Sequence, residues 1–258
     1  MEFVIQQLIN GISLGSIYAP IALGYTMVYG IINLINFAHG EIYMMGAFVG
    51  YALTTFLGLG FIPSLIISMI TCSILGILIE KVAYKPLRSS SRISLLITAI
   101  AVSLFLQYIM VYFVGPETRT FPEVVDSERL MLFDGKVILD TRNIYILGIT
   151  VILMVLLQYV VRKTKTGKAM RAVSQDKDAA ELMGISVDKV ISVTFAIGSA
   201  LAGAAGVLVG IYYNTINPLM GSGPGLKAFV AAVLGGIGLI PGAVLGGFSL
   251  GLIETLVS

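Results

Sequence analysis

A phosphate-binding loop is the first chemistry to test where Gly167-Lys168 occurs, but Ala169 follows, and position 162, where the leading glycine belongs, is Arg. The chain is therefore not expected to hydrolyse ATP itself. His39 has no Cys or His neighbour, so it does not read as a metal ligand. No Ser/His/Asp set or carboxylate pair falls inside the long apolar runs. Neither enzymatic activity nor a cofactor is expected. Ion-coupled carriers keep carboxylates or basic groups inside the membrane. Here only Glu41, Lys227 and Glu254 interrupt or border the apolar runs away from the charged loops, so any driving energy is expected to come from elsewhere.

The place to receive it is the polar segment Thr166 to Ser186. Asp176 to Met183 reads as a short helix, with acids toward its N-terminus, where the helix dipole favours them, and Gly184 placed to end it. Under three turns long, it needs a neighbour to be stable. It shows Ala179, Ala180, Leu182 and Met183 among charges, a pattern suited to insertion in a groove on another protein. The competing reading is a surface connector that merely links two spans.

Composition fixes what surrounds this segment. Of 258 residues, 57% are hydrophobic and 12% charged, where a soluble domain carries roughly a quarter charged residues. Six stretches lack Asp, Glu, Lys and Arg altogether: 3–38, 42–79, 93–116, 143–161, 190–226 and 228–253. About 20 apolar helical residues cross a bilayer, so the chain reads as an integral membrane protein. A net charge of +2 leaves no basic face for nucleic acid, and the single Cys72 cannot make an intrachain disulfide. A cleaved signal peptide is not expected, because Glu2 follows Met1 and the first run is too long. The pattern does not alternate as an outer-membrane barrel would. The expected fold is all-α: one membrane domain over residues 1–258, with six to eight spans, some broken or re-entrant.

The run 3–38 exceeds one crossing. Pro20 and Gly24 predict a kink, and Gly30 to His39 a broken or re-entrant piece. The run 42–79 divides into two helices at Gly58-Leu59-Gly60-Phe61-Ile62-Pro63, and 93–114 and 143–161 are one span each. A helix from about 190 to 212 is followed by breakers from Asn214 to Gly225, and Pro241-Gly242 marks a kink or two half-helices in the last run. Basic loops stay on the cytoplasmic side. Lys81, Lys85, Arg88 and Arg92 mark one such loop, and Arg162, Lys163, Lys165, Lys168, Arg171 and Lys177 another, the latter within a cytoplasmic segment of about 163–189. The loop of about 115–142 between them carries four cations and six acids and belongs outside, and counting back three crossings places the N-terminus outside too. Glycines four apart (Gly11/Gly15, Gly46/Gly50, Gly206/Gly210, Gly242/Gly246, Gly247/Gly251) predict close helix packing.

Asp178-Ala179-Ala180, followed after three residues by Gly184, resembles the loop through which ABC importer permeases dock on their ATPase. The stretch Ile32-Asn33-Leu34-Ile35-Asn36-Phe37-Ala38-His39-Gly40-Glu41 and the later Gly235-Gly236-Ile237-Gly238-x-x-Pro241-Gly242-Ala243 resemble LivH-type permeases of branched-chain amino acid importers. The resemblance runs from about residue 5 to residue 256. It departs from the wider docking-loop pattern at Thr194, Phe195, Ala196 and Ile197, and the family usually extends into another apolar segment beyond a position like Ser258, which raises truncation.

The resemblance implies a cell (inner) membrane permease that pairs with a LivM-type second permease, ABC ATPase subunits and an extracytoplasmic binding protein delivering Leu, Ile or Val. It implies that Asp178, Ala179, Ala180, Glu181, Leu182, Met183 and Gly184 couple to the ATPase. A zwitterion with an apolar side chain needs some polar groups along its path, and the candidates are Asn33, Asn36, His39, Tyr43, Asn214 and Asn217. Each also has a structural reading. Asn33 and Asn36 can cap a break, His39 and Glu41 can tie down a turn, and Asn214 and Asn217 can end a loop. The alternative function is a stand-alone channel or carrier for small polar solutes such as urea or short amides, which would have no use for the helix at Asp178 to Gly184.

Overall fold

In the computed structural model, which describes residues 2–32, 35–88, 90–125, 128–132 and 137–257, Glu2–Ile32 form one unbroken helix, α1, with Pro20 inside it. The expected kink does not end the helix. Proline removes the N–H that would bond to the carbonyl four residues back, and that carbonyl, Ser16, instead accepts the Thr150 hydroxyl at 2.7 Å from a neighbouring helix. In lipid such a replacement donor is what makes an internal proline tolerable. The break falls after Ile32, and the next helix, α2 (His39–Leu57), starts at His39.

A turn through Gly58, left-handed at φ 62°, leads to α3 (Phe61–Ile79), as the breaker cluster predicted. This helix runs on through a π turn at Glu80–Tyr84 and a 3-10 turn at Lys85–Leu87. Then come α4 (Arg92–Val114), α5 (Thr141–Lys163), the short polar helices α6 (Lys165–Gln175) and α7 (Lys177–Leu182), and α8 (Val187–Tyr213). The final run is two helices, α9 (Ser222–Leu234) and α10 (Ile240–Val257). Their break lies at Gly235 to Leu239, where Gly236 and Gly238 take φ 87° and 92°. Pro241 and Pro224 instead sit in first turns, where a missing N–H costs nothing. The breaker cluster expected to be non-helical up to Gly225 is thus already helical from Ser222.

Among the described residues six helices are long and apolar enough to cross a membrane: α1, α3, α4, α5, α8 and α10. With 19 residues, α2 is also about 29 Å long, close to the hydrocarbon thickness. In their most apolar windows α1 and α8 are 83% and 72% buried, against 17% for α4 and 22% for α5. The first two form the centre, and the latter present an apolar face to lipid.

Charge sorting agrees with the geometry. Lys85 pairs with Asp188 at 2.7 Å, so the basic turn after α3 sits beside the start of α8, with α6 and α7. At the other end two short strands, β1 (Arg119–Thr120) and β4 (Thr215–Ile216), pair antiparallel. A hairpin of β2 (Arg129–Leu132) and β3 (Val137–Asp140) exchanges two hydrogen bonds with Gln6 at the start of α1. The N-terminal end of α1 therefore lies with the 115–142 loop, opposite the basic end.

The glycine pairs fall where helices cross. A Cβ on Gly11 would come within 2.9 Å of the Leu252 backbone, and one on Gly247 within 2.8 Å of Ala19, fixing α1 against α10. Gly46 meets Gly203 between α2 and α8, where the Ser68 hydroxyl of α3 donates to the carbonyls of both, at 2.9 and 3.3 Å. Replacing Gly46 by Leu should destabilise the bundle by about 1–3 kcal/mol or more, read as a fall in Tm in detergent. Leu at Gly148, whose Cβ direction is open, should leave Tm unchanged.

Candidate functional site

Two groups of residues stand apart from ordinary packing. The first is the polar segment at the basic end. Thr164 caps α6, its hydroxyl accepting the Gly167 N–H at 3.1 Å, and Asp176 caps α7, its carboxylate accepting the Ala179 N–H at 3.0 Å. After α7 the chain reverses at Gly184, φ 79°. The Gly184 N–H bonds to the Glu181 carbonyl and the Ile185 N–H to that of Ala180, the closure that a left-handed glycine provides at a helix end. The short helix read from the sequence is present, with Asp176 just outside it as cap.

Its faces differ from the expectation in one respect. Ala180 is buried against its own chain at 4% exposure and is not offered to a partner. Asp178, Ala179, Glu181, Leu182, Met183 and Gly184 are exposed, Leu182 at 88% and Met183 at 81%. Six residues cannot turn two adjacent alanines to the same side, because neighbours in a helix point about 100° apart. Beneath, α6 buries Gly167, Met170 and Val173, so α7 rides on a packed support.

A network behind α7 joins α3 to α8. Glu80, fully buried, accepts from Arg88 and from the Ser192 hydroxyl, the latter at 2.7 Å, and Arg88 also reaches Asp188. The sequence showed these charges only as a basic loop; that Glu80 turns inward is set by the π turn beginning there.

The second group gathers around the start of α2. Asn36 is buried and accepts the Tyr84 hydroxyl at 2.8 Å. His39, buried, has its ring edge-on to Tyr25, 4.6 Å between centroids, and neither ring nitrogen is in hydrogen-bond geometry. The Tyr43 hydroxyl, on the same helix, is buried without a partner. Glu41 is 1% exposed; one carboxylate oxygen accepts the Ser103 hydroxyl of α4 at 3.4 Å and the other has no donor. Asn33 lies outside the described residues. Asn36, His39 and Tyr43 are thus all buried around the start of α2, while Asn214 and Asn217 have structural partners. Asn214 ends α8 at φ 53° and accepts from Arg142 at 3.1 Å, while Asn217 accepts the Leu219 N–H at 3.0 Å, as a turn-forming Asn does. Ser103 and Tyr25, which complete the group, were missed in the sequence. Ser103 is one of several hydroxyls in the apolar run 93–116, beside Ser94 and Thr98, so nothing in the sequence singled it out. Among the described residues no cluster of His, Cys, Asp and Glu could hold a metal.

Residues 7–258 match the family described as branched-chain amino acid transport system / permease component. The chain belongs to this family. It is 43% identical to the high-affinity branched-chain amino acid transport system permease protein LivH of Salmonella typhimurium and 42% identical to LivH of Escherichia coli strain K12, with 99% of this chain and 86% of each relative covered. It is 43% identical to the corresponding protein BraD of Pseudomonas aeruginosa, over 97% of this chain and 85% of the relative. No solved structure matches. The chain is thus a multi-pass membrane permease component and not an enzyme.

In this permease the buried Glu80 makes the α3–α8 junction sensitive to its counter-charge. Arg88→Met should cost about 3–5 kcal/mol, because it strands a buried carboxylate, and the double change with Glu80→Leu should recover most of that. Denaturation of single and double variants in detergent checks the cycle.

Proposed function

We propose that this chain is the membrane-spanning subunit of an ABC importer that carries branched-chain amino acids, Leu, Ile and Val, across the cell (inner) membrane. An extracytoplasmic binding protein delivers the solute at the end bearing the 115–142 loop, a LivM-type second permease completes the path, and separate ATPase subunits supply the energy. The relatives' names support the solute class. The observation that carries the ATPase coupling is α7, a capped helix held out at the basic end with Leu182 and Met183 almost fully exposed.

An apolar tip of this kind has no partner within its own chain and fits a groove on another protein. A push on α7 would pass through buried Ala180 and the Gly184 turn into α8, which packs on α1, α2 and α3 through Gly198, Gly203 and Gly206. The Glu80–Arg88–Asp188 network would carry the end of α3 along. Tightly packed helices respond to such a load as bodies rather than by bending. A self-sufficient channel for urea or short amides has no use for an exposed helix mounted in this way.

Leu182→Asp should abolish co-purification of the ATPase and lower binding-protein-dependent leucine uptake by about tenfold or more, as loss of a central interface contact does. Because Leu182 touches little of its own chain, Tm should stay unchanged. Uptake at the unaltered rate would remove the coupling role. A charge at Ala180 is the wrong test, since it would be buried and disrupt the fold itself.

A further inference from the structure

Between α1, α4 and the N-terminus of α9 lies a cavity of about 310 Å³, walled by Tyr25, Phe37, Ile100, Ser103, Leu104 and Leu226, with Gly221, Ser222 and Gly225 on the α9 side. Its volume is at the small end of the roughly 300–1,000 Å³ typical of small-molecule sites, suited to a solute the size of a single amino acid. The Glu41 carboxylate lies between two of these wall positions. One oxygen accepts from Ser103, and the other lies where a Cβ on Gly221 would be, so any side chain at 221 would collide with it. That second oxygen has no donor, and no cation pairs with Glu41 among the described residues. A carboxylate so placed calls for a positive partner, since leaving it bare inside a membrane bundle costs several kcal/mol.

The opposite charge has its own place in the same cavity. Gly221 caps α9, so the N–H groups of Ser222 and Gly223 have no acceptor within the helix, and Pro224 has no N–H at all. Ser222 lines the cavity and both Ser222 and Gly223 are exposed, so the first turn of α9 is not covered by the rest of the chain. An exposed helix N-terminus inside a transporter is suited to a carboxylate. Ile100, Leu104, Phe37 and Leu226 supply apolar wall between the two polar ends.

We infer that this cavity is a transit site for a zwitterionic α-amino acid, with the ammonium on Glu41 and Ser103, the carboxylate on the first turn of α9 and the aliphatic side chain against Ile100 and Leu104. The inference rests on the proposed import function and names where in this chain the solute pauses. Ile100, Leu104 and Leu226 are partly exposed at the bundle surface, so the mouth opens sideways.

The test uses the whole complex in proteoliposomes with binding protein and labelled leucine. Glu41→Gln removes the charge with little change of shape. Leucine uptake should fall by about tenfold or more, as for loss of one member of a buried charge pair. ATP hydrolysis stimulated by leucine-loaded binding protein should stay within about twofold, because the coupling surface at α7 is untouched. A structural role for Glu41 would instead lower both together, or lower assembly. Leu104→Trp, at a half-exposed position, fills the cavity without touching Glu41 and should give the same split. It decides the matter if Glu41→Gln does not assemble. Normal uptake in Leu104→Trp, or in an assembled Glu41→Gln complex, would overturn the site while leaving the import function standing. Absence of ATP-driven leucine uptake in the unaltered complex would overturn the function and the site with it.

Discussion

Close approach of helix backbones is the constraint on which everything else in this protein rests. In lipid there is no gain from hiding apolar side chains, so helices hold together by packing density and by hydrogen bonds that reach across the contact. The centre of the bundle follows from this. Gly198, Gly203 and Gly206 of α8 meet Gly24 of α1, Cys72 of α3 and the Tyr43–Ala47 backbone of α2, and Ser68 fastens the contact by donating to the carbonyls of Gly46 and Gly203. A contact made through missing side chains has little slack.

The same solvent dictates where polar groups are tolerated. A proline in mid-helix is accepted because Thr150 takes over the carbonyl it frees, and the buried Glu80 because Arg88 and Ser192 answer it. Against that background the group around α2 is conspicuous: His39, Tyr43 and one oxygen of Glu41 are enclosed with nothing to bond. Among the described residues the Thr26 hydroxyl and the Asn36 side-chain nitrogen share this state, and the Glu41 oxygen lies against Gly221 at the start of α9.

The coupling end obeys a different logic. It lies among basic residues at the membrane surface, where exposed charges cost little, and its two helices are too short to stand alone. They are held by caps at Thr164 and Asp176 and by burial of Met170, Val173 and Ala180. What remains outside is a small apolar tip on a firm mount. Glu80, Arg88 and Asp188 then tie the mount's neighbour, α8, to the end of α3.

Hydropathy runs, charge clusters and turn residues are local properties, and they located most elements: the α2–α3 turn, the spans α4 and α5, the length of α8, the basic and opposite ends, and the short helix before Gly184. The glycine pairs even named the contact faces, because a close crossing needs them at helical spacing. Prolines act according to where a helix begins and which neighbour supplies a donor: Pro20 lies inside α1, and the last run is two helices whose break falls at Gly235 to Leu239, before Pro241. Nor could order along the chain show that Ala180 turns inward while Leu182 and Met183 turn out, or that Ser103 of α4 and Gly221 before α9 close around Glu41. These are relations between segments far apart in sequence, fixed only when packing sets each helix's rotation and depth. The sequence alone determined a helical membrane permease with a short polar helix before Gly184; the tertiary structure decided which side chains of that helix stay exposed and which distant residues surround Glu41, because both depend on how helices far apart in the chain pack.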